Sequence, residues 1–167
     1  MPTRPVLAFD AVVRAPFGNV GVRIDSGVVS EMVYLPASIA PRAGRGGLAK
    51  EAARQVTAYL RDAAFRFDLP LADRGTAFQQ KVWGVIRAIP SGGALTYGDV
   101  ARRIRSAPRA VGQACGANWF PLVIPCHRVL AANGLGGFAQ GDDRFHLDVK
   151  RWLLAHENVP GYAPPHA

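Results

Sequence analysis

The sequence predicts an α+β protein. A small N-terminal α/β lobe, a short antiparallel sheet plus a helix, is expected over residues 1–74, and a mostly helical C-terminal lobe with a helix-turn-helix over residues 75–167. Three observations carry this reading. β-rich runs separated by turn residues crowd the N-terminal region. Capping signals followed by apolar stripes of helical period recur after Gly75. With 167 residues and 49% hydrophobic side chains, the chain can bury one sizeable core, or a small lobe packed on a larger one.

The N-terminal strands are expected at Val6 to Phe9, Asn19 to Ile24 and Val28 to Leu35, with Ser26-Gly27 as a hairpin turn. A polar stretch rich in Gly, Pro and Arg, Pro41 to Gly47, leads into an amphipathic helix whose apolar face is Leu48, Ala52, Val56, Tyr59 and Leu60. Leu69 to Gly75 reads as the linker. No chemistry is evident in this lobe.

The second lobe opens at Thr76. Its hydroxyl can accept from a first-turn amide while Gln79, three residues on, reaches back, the capping-box pattern. The helix that follows carries the apolar stripe Phe78, Val82, Val85, Ile86 and Ile89, and Pro90-Ser91-Gly92-Gly93 stops it. Thr96 to Asp99 caps a short helix with Val100, Ala101 and Ile104 inward. Arg105 to Pro108 then turns into another helix through Ala117, and two short helices joined by a tight turn read as helix-turn-helix. The second of these, Arg109 to Ala117, is rich in very small side chains, which let its backbone approach a neighbouring helix or a DNA groove. Leu122-Val123-Ile124 reads as a buried strand that delivers Pro125-Cys126-His127, Asn133 to Gly137 as a flexible loop, and Trp152, Leu153 and Leu154 as part of a last helix.

Charge narrows the partners. The formal net charge is +8 and the pI about 10.3, a balance that favours a polyanion. Between Gly75 and Gly141, the basic residues Lys81, Arg87, Arg102, Arg103, Arg105, Arg109 and Arg128 face a single acid, Asp99. No apolar stretch approaches the roughly 20 residues of a membrane span, and no signal-like run follows Met1 to Pro5, so a cytoplasmic protein is expected. Two cysteines are too few for a disulfide framework, and no Cys-x-x-Cys pair or clustered His offers a metal site.

Thiol chemistry is the remaining expectation, and Pro125-Cys126-His127-Arg128 is where it is placed. A cysteine becomes a useful nucleophile when a base or positive charge stabilises its thiolate, and His127 and Arg128 both adjoin Cys126. Neighbours on an extended strand point to opposite faces, so a turn or a bridging water must complete any transfer between Cys126 and His127. Taken alone, the tetrapeptide also fits a buried, inert thiol. Cys115, among Ala and Gly, reads as a small buried side chain; Trp83 and Trp152 read as core; His146 and His166 show no partner.

The order of motifs adds to this. Arg109-Ala110-Val111-Gly112, Asn118, Ile124 to Val129, Gly137-Phe138 and Lys150 to Glu157 recur in an order that resembles the alkylguanine-DNA alkyltransferases, the methylated-DNA-protein-cysteine methyltransferases. Gly75 to Trp83, Ile89 to Gly92 and Thr96-Tyr97-Gly98 resemble the same family's upstream signature. The resemblance spans residues 75 to 157, and residues 1–74 match in general character only.

The resemblance implies a DNA repair protein that works once. Cys126 takes the alkyl group from O6 of a damaged guanine by in-line displacement, without metal or cofactor. It further implies that His127 takes the Cys126 proton through a water, that Glu157 holds His127 in the useful tautomer, and that Asn118 ties the recognition helix to the Cys126 segment. The partner is double-stranded DNA containing alkylated guanine, bound through the minor groove by a monomer with the damaged base flipped out. Arg109 fills the vacated space, Ala110 and Gly112 lie on the small-residue groove face, and Arg128 joins the DNA-binding set. Tyr97 donates to the flipped base or assists rotation of its phosphate, backbone groups of Cys126 and Val129 read the guanine edge, and Phe138 stacks on it.

Several positions depart from the family pattern. The turn between Tyr97 and Arg109 is short, Trp119 and Gln140 replace a usual proline and a frequent glycine, and Phe138 lacks the hydroxyl of a usual tyrosine. An extra polar segment falls within Gly141 to Asp148, and with Phe138 it predicts narrower tolerance for bulky alkyl groups such as benzyl. Two other readings compete. A lesion sensor on the same scaffold needs no nucleophile, and a Cys-His hydrolase would need an oxyanion loop that the sequence does not offer.

Overall fold

The computed structural model describes residues 9–136 and 143–162. The chain forms two compact units, Met1–Asp73 and Arg74–Ala167. The α+β organisation expected from the sequence is present. Among the described residues, no helix is long and apolar enough to cross a membrane.

In the first unit, β1 (Ala11–Ala15), β2 (Gly18–Asp25) and β3 (Val28–Leu35) form an antiparallel meander in that order. Ser26 and Gly27 both adopt positive φ, 51° and 78°, which gives the two-residue hairpin a twist that suits the flanking strands. The first strand lies later than expected. Residues 6–8 of the expected strand lie outside the described residues, and Phe9 is buried beside the sheet without joining it. Asp10, a residue type that usually marks turns, instead starts β1 by accepting from Ile24 N–H at 2.7 Å through its side chain. The helix α1 (Gly47–Arg61) lies against β1 and β2 and buries Ala49, Ala52, Val56 and Tyr59. The expected linker begins as part of this unit, because Val29 N–H donates to Pro70 O at 2.8 Å and Ala72 N–H donates to Val29 O at 2.8 Å.

The second unit contains α2 (Ala77–Arg87), β4 (Leu95–Thr96), α3 (Tyr97–Ile104), α4 (Pro108–Gly116), a single 3-10 turn at Cys126–Arg128, β5 (Val129–Leu130) and α5 (Arg144–His156). The expected capping box forms at Thr76, and the expected cap at Thr96 is a second capping box. Gln79 N–H donates to Thr76 Oγ1 at 3.1 Å and Asp99 N–H to Thr96 Oγ1 at 3.0 Å, with the reciprocal bonds present. Each cap stabilises its helix by about 1 kcal/mol. The α3 helix ends at Arg105 in the left-handed region, φ 56°, and Pro108 opens α4 at a position where a missing N–H costs nothing.

Two expectations about burial need correction. Phe78 is 38% exposed and Val85 only half-buried, whereas Trp83 is 2% exposed. The inward face of α2 is therefore Val82, Trp83 and Ile86, turned so that Trp83 Nε1–H donates to Ala114 O at 2.9 Å. Gly75 makes room for that indole, since a Cβ there would lie 2.5 Å from the ring. Trp152 is half-buried and stacks on His156 with ring centroids 4.7 Å apart, so it is not a core residue.

Leu122-Val123-Ile124 is buried but is a turn, not a strand. Leu122 has φ 75° and Ile124 N–H closes on Phe120 O at 2.8 Å. The side chain of Asn118 takes up the neighbouring backbone groups, accepting from Phe120 N–H at 2.8 Å and donating to Ile124 O at 2.9 Å. The local bonds that a strand partner would have supplied are thus made by one amide.

Candidate active site

Cys126 begins the 3-10 turn at the end of this Asn118-braced loop. Its backbone N–H donates to Ile124 O at 2.8 Å, and Val129 N–H donates back to Cys126 O. The side chain is 5% exposed, and Asn118 Nδ2 donates to Sγ at 3.3 Å. Burial and three neighbouring groups set the charge on this sulfur. The neighbouring Cys115 thiol and burial push the Cys126 thiol well above its ordinary range, while the Asn118 amide and the Lys150 ammonium pull it back. The resting group is a thiol, so ionisation must be coupled to a base or to substrate binding.

A group able to act as that base lies in the next residue. His127 is 1% exposed, and its Nε2 lies 2.8 Å from Glu157 Oε2. Burial lowers the His127 pKa against the opposing pull of Glu157, so the imidazole is neutral at neutral pH. Glu157 accepts the Nε2 proton, which leaves Nδ1 as the lone-pair nitrogen. Nδ1 is buried and has no hydrogen-bond partner among the described residues.

Glu157 is held from a second side as well. Arg128 donates to it through Nε at 2.8 Å and Nη2 at 2.9 Å, and its Nη1 donates to Ile89 O at 2.6 Å. Burial pushes the Glu157 carboxyl up, yet His127 and Arg128 together hold it well below the usual carboxylate range. A residue that alone would be read as a solvated helix end is 3% exposed and fully charged. Arg128, expected among the DNA contacts, turns its guanidinium inward.

The remaining expected residues distribute around this core. Tyr97, the first residue of α3, is half-buried, and burial raises its pKa, which keeps the phenol protonated and able to donate. Its ring lies against Gly112 and Gly136: a Cβ at Gly136, where φ is 76°, would meet Tyr97 Cε2 at 2.9 Å, and one at Gly112 would touch Cε1 at 4.0 Å. Val129 is fully buried in β5, which pairs in parallel with β4. Arg109 is exposed on the first turn of α4 and Ala110 half-buried beside it. Of the basic residues after Gly75 noted above, all but Arg128 are exposed. Phe138, Gly137, Gln140, residues 141–142 and His166 lie outside the described residues. Asp143 to Asp148, expected as a polar insertion, is the N-cap and opening of α5, where His146 finds a partner in Asp143 at 2.9 Å. Trp119, in place of the usual proline, stacks under the Arg74 guanidinium at 4.3 Å.

Sequence reasoning missed Lys150. It is 0% exposed, donates through Nζ to Val129 O at 2.8 Å, and lies 5.7 Å from the centroid of Tyr97. Burial lowers its pKa to about 8. The available signal was spacing: Lys150 stands three and four residues before the buried Leu153 and Leu154, and seven before Glu157, on the inward face of α5. An open depression of ≈ 360 Å³ lined by Thr76, Phe78, Gln79, Ala110, Gln113 and Ala114 contains no titratable side chain, and Cys126 is not part of it. No group of three metal-ligating side chains exists among the described residues.

Comparison with known proteins follows the same residues. The profile of the 6-O-methylguanine DNA methyltransferase DNA-binding domain matches residues 77–159. The methylated-DNA-protein-cysteine methyltransferase of Methanosarcina acetivorans is 44% identical over 111 residues, covering 65% of this chain and 68% of that one. The crystal structure of Mycobacterium tuberculosis O6-methylguanine methyltransferase superposes with a TM-score of 0.71 at 32% identity, covering 92% of this chain and 93% of that one. A structure of Mycobacterium tuberculosis OGT in complex with DNA gives 0.71 at 33% identity, with 90% and 94% covered.

Proposed function

This chain belongs to the methylated-DNA-protein-cysteine methyltransferase family and is a DNA repair methyltransferase; from that premise we propose that it rotates O6-alkylguanine out of duplex DNA and accepts the alkyl group on Cys126 once per molecule. The observation that supports this reading is the chain of contacts from Asn118 to the Cys126 sulfur and, in the adjoining residue, from the neutral His127 to Glu157 and Arg128.

In this mechanism His127 Nδ1 accepts the Cys126 proton through a water. The sulfur attacks the alkyl carbon, the S–C bond forms as the C–O6 bond breaks, and the guanine leaves as an anion that becomes the ordinary base on taking up a proton. Glu157 stabilises the imidazolium, and Arg128 keeps Glu157 charged while it does so. Tyr97 donates to the departing base. The carbonyl of Val129, already fixed by Lys150, and the backbone of Cys126 read the guanine edge. Because a thioether is a very poor leaving group, the product is permanent.

Unstacking the base costs a few kcal/mol, which DNA contacts must offset. In the proposed complex α3 and α4 act as a helix-turn-helix, with the small face of α4, including Ala110 and Gly112, in the minor groove. Arg109 enters the stack, and Phe138 stacks on the flipped base. All of this falls to residues 75–167, and residues 1–74 carry no chemistry. The working form is a cytoplasmic monomer without cofactor.

Incubation with duplex DNA carrying methylated guanine, followed by mass measurement of the Cys126 peptide, tests the reading. One added methyl group is expected. An unchanged peptide with intact DNA binding would make the protein a sensor, and turnover of an acyl substrate would make it a hydrolase.

A further inference from the structure

Arg105 stands where the chain turns from α3 towards α4, in a conformation that side chains resist. Its backbone has φ 56° and ψ 50°, in the left-handed region. Ser106 N–H donates to Ala101 O at 2.9 Å and Arg105 N–H to Arg102 O at 3.4 Å. The helix thus ends in a Schellman motif, with Arg105 at the position that glycine usually fills. Glycine takes this conformation without crowding a Cβ against the backbone, and asparagine tolerates it. Nothing inside the protein offsets the arginine's strain. Among the described residues no hydrogen bond or ion pair holds its exposed side chain. The last turn of α3 already has Arg102 and Arg103 to complement the helix dipole. We propose that Arg105 is a phosphate anchor: its guanidinium binds the DNA backbone beside the recognition helix and fixes the register of α4 on the duplex.

The surroundings suit a phosphate. Asp99 is the single acid between Gly75 and Gly141, and Arg102 is already paired with it. Arg103 is exposed two residues before Arg105, and Arg109 is exposed four residues after it, on the first turn of α4. Ala107 and Pro108, between them, are exposed as well, so the turn is open to a ligand as large as a duplex. A planar guanidinium matches two phosphate oxygens at once, which a lysine ammonium does not. Such a contact positions the protein and carries no sequence information. Arg105 therefore strengthens binding to damaged and undamaged duplex alike, whereas Arg109 acts only where a base has left the stack. This inference rests on the α3 and α4 docking proposed above, and not on Cys126 accepting an alkyl group.

Full chains carrying Arg105→Gly, Arg105→Asn or Arg105→Lys test the anchor by denaturant midpoint and by duplex affinity across a salt series. Glycine and asparagine relieve the backbone, so their midpoints are expected to equal or exceed that of the unaltered protein. Their DNA binding is expected to weaken by about three- to tenfold at low salt, by the same factor on methylated and unmethylated duplex. The slope of log K against log salt should become shallower by about 0.9, the signature of one lost phosphate contact. Arg105→Lys is expected to keep the slope, because the charge remains. Unchanged affinity and slope in Arg105→Gly overturn the proposal, as does a lowered midpoint, which would make the side chain a structural brace. Weakening confined to methylated duplex, or a lysine variant with the slope of the glycine one, overturns it too. If the unaltered chain binds duplex with this salt dependence yet never accepts a methyl group, the anchor stands and the repair reading fails. If methyl transfer proceeds while Arg105→Gly binds duplex as tightly as the unaltered chain, the repair reading stands and the anchor fails.

Discussion

His127 Nε2 and Glu157 Oε2 lie 2.8 Å apart with their side chains 1% and 0% exposed, so the imidazole orientation is set by a carboxylate that water does not reach. Glu157→Gln keeps the shape and removes the charge. It strands the Arg128 guanidinium, and breaking such a buried pair is expected to cost about 3–5 kcal/mol, read as a fall in denaturant midpoint. Single-turnover transfer is expected to slow by about 10²–10⁴-fold, the usual worth of a positioned base. A variant that transfers at the normal rate would remove His127 from the mechanism.

Stability should fall with acid in two stages. The folded His127 pKa is below the ordinary 6.5, so its contribution is complete above that value and declines as pH falls through it. Glu157 is likewise held below its ordinary 4.5, adding a second loss below that pH. Lys150 acts at the other end: its pKa of about 8 against 10.5 for the unfolded chain means that stability rises as pH increases between those values. Denaturant midpoints measured across pH check all three signs, and Lys150→Met should abolish the alkaline rise alone.

Asn118→Ala deletes the bonds to Phe120 N–H, Ile124 O and Cys126 Sγ together. A loss of about 1–3 kcal/mol is expected for the buried groups left unsatisfied. Because the amide lowers the Cys126 pKa, the pH profile of thiol alkylation by iodoacetamide should move to higher pH. A profile that stays in place would confine Asn118 to folding.

Arg109→Ala is expected to separate DNA work from thiol chemistry. Arg109 is exposed on α4, in a different helix from the Cys126 turn. Transfer from duplex DNA should fall by about tenfold or more, since stabilising an unstacked base is worth a few kcal/mol. Alkylation of Cys126 by iodoacetamide should be unchanged. Cys126→Ser should show the converse, no transfer with DNA binding retained.

Much of the second unit was legible because its signals are local. Thr76 with Gln79, and Thr96 with Asp99, announce their helices through bonds three residues long. Ser26-Gly27 likewise marks its own turn. What sequence hid depends on contacts distant in the chain. Glu157 and Arg128 stand 29 residues apart, and nothing near Glu157 reveals that a guanidinium will bury its charge. Lys150 drew no reading of its own, because its partner, Val129 O, lies 21 residues away in the chain. Leu122 to Ile124 looked like a strand because apolar content reports burial, whereas the Asn118 bonds decide backbone shape.

Gly136 offers a handle on this protein that leaves every reacting atom alone. A methyl group there would collide with the Tyr97 ring and with Ala131 N at 3.1 Å, on a backbone already bent the way side chains resist. Laboratory selection for altered lesion preference should therefore find this position intolerant of even alanine, and a smaller residue at Tyr97 would not reopen it, because the Ala131 backbone and the positive φ remain.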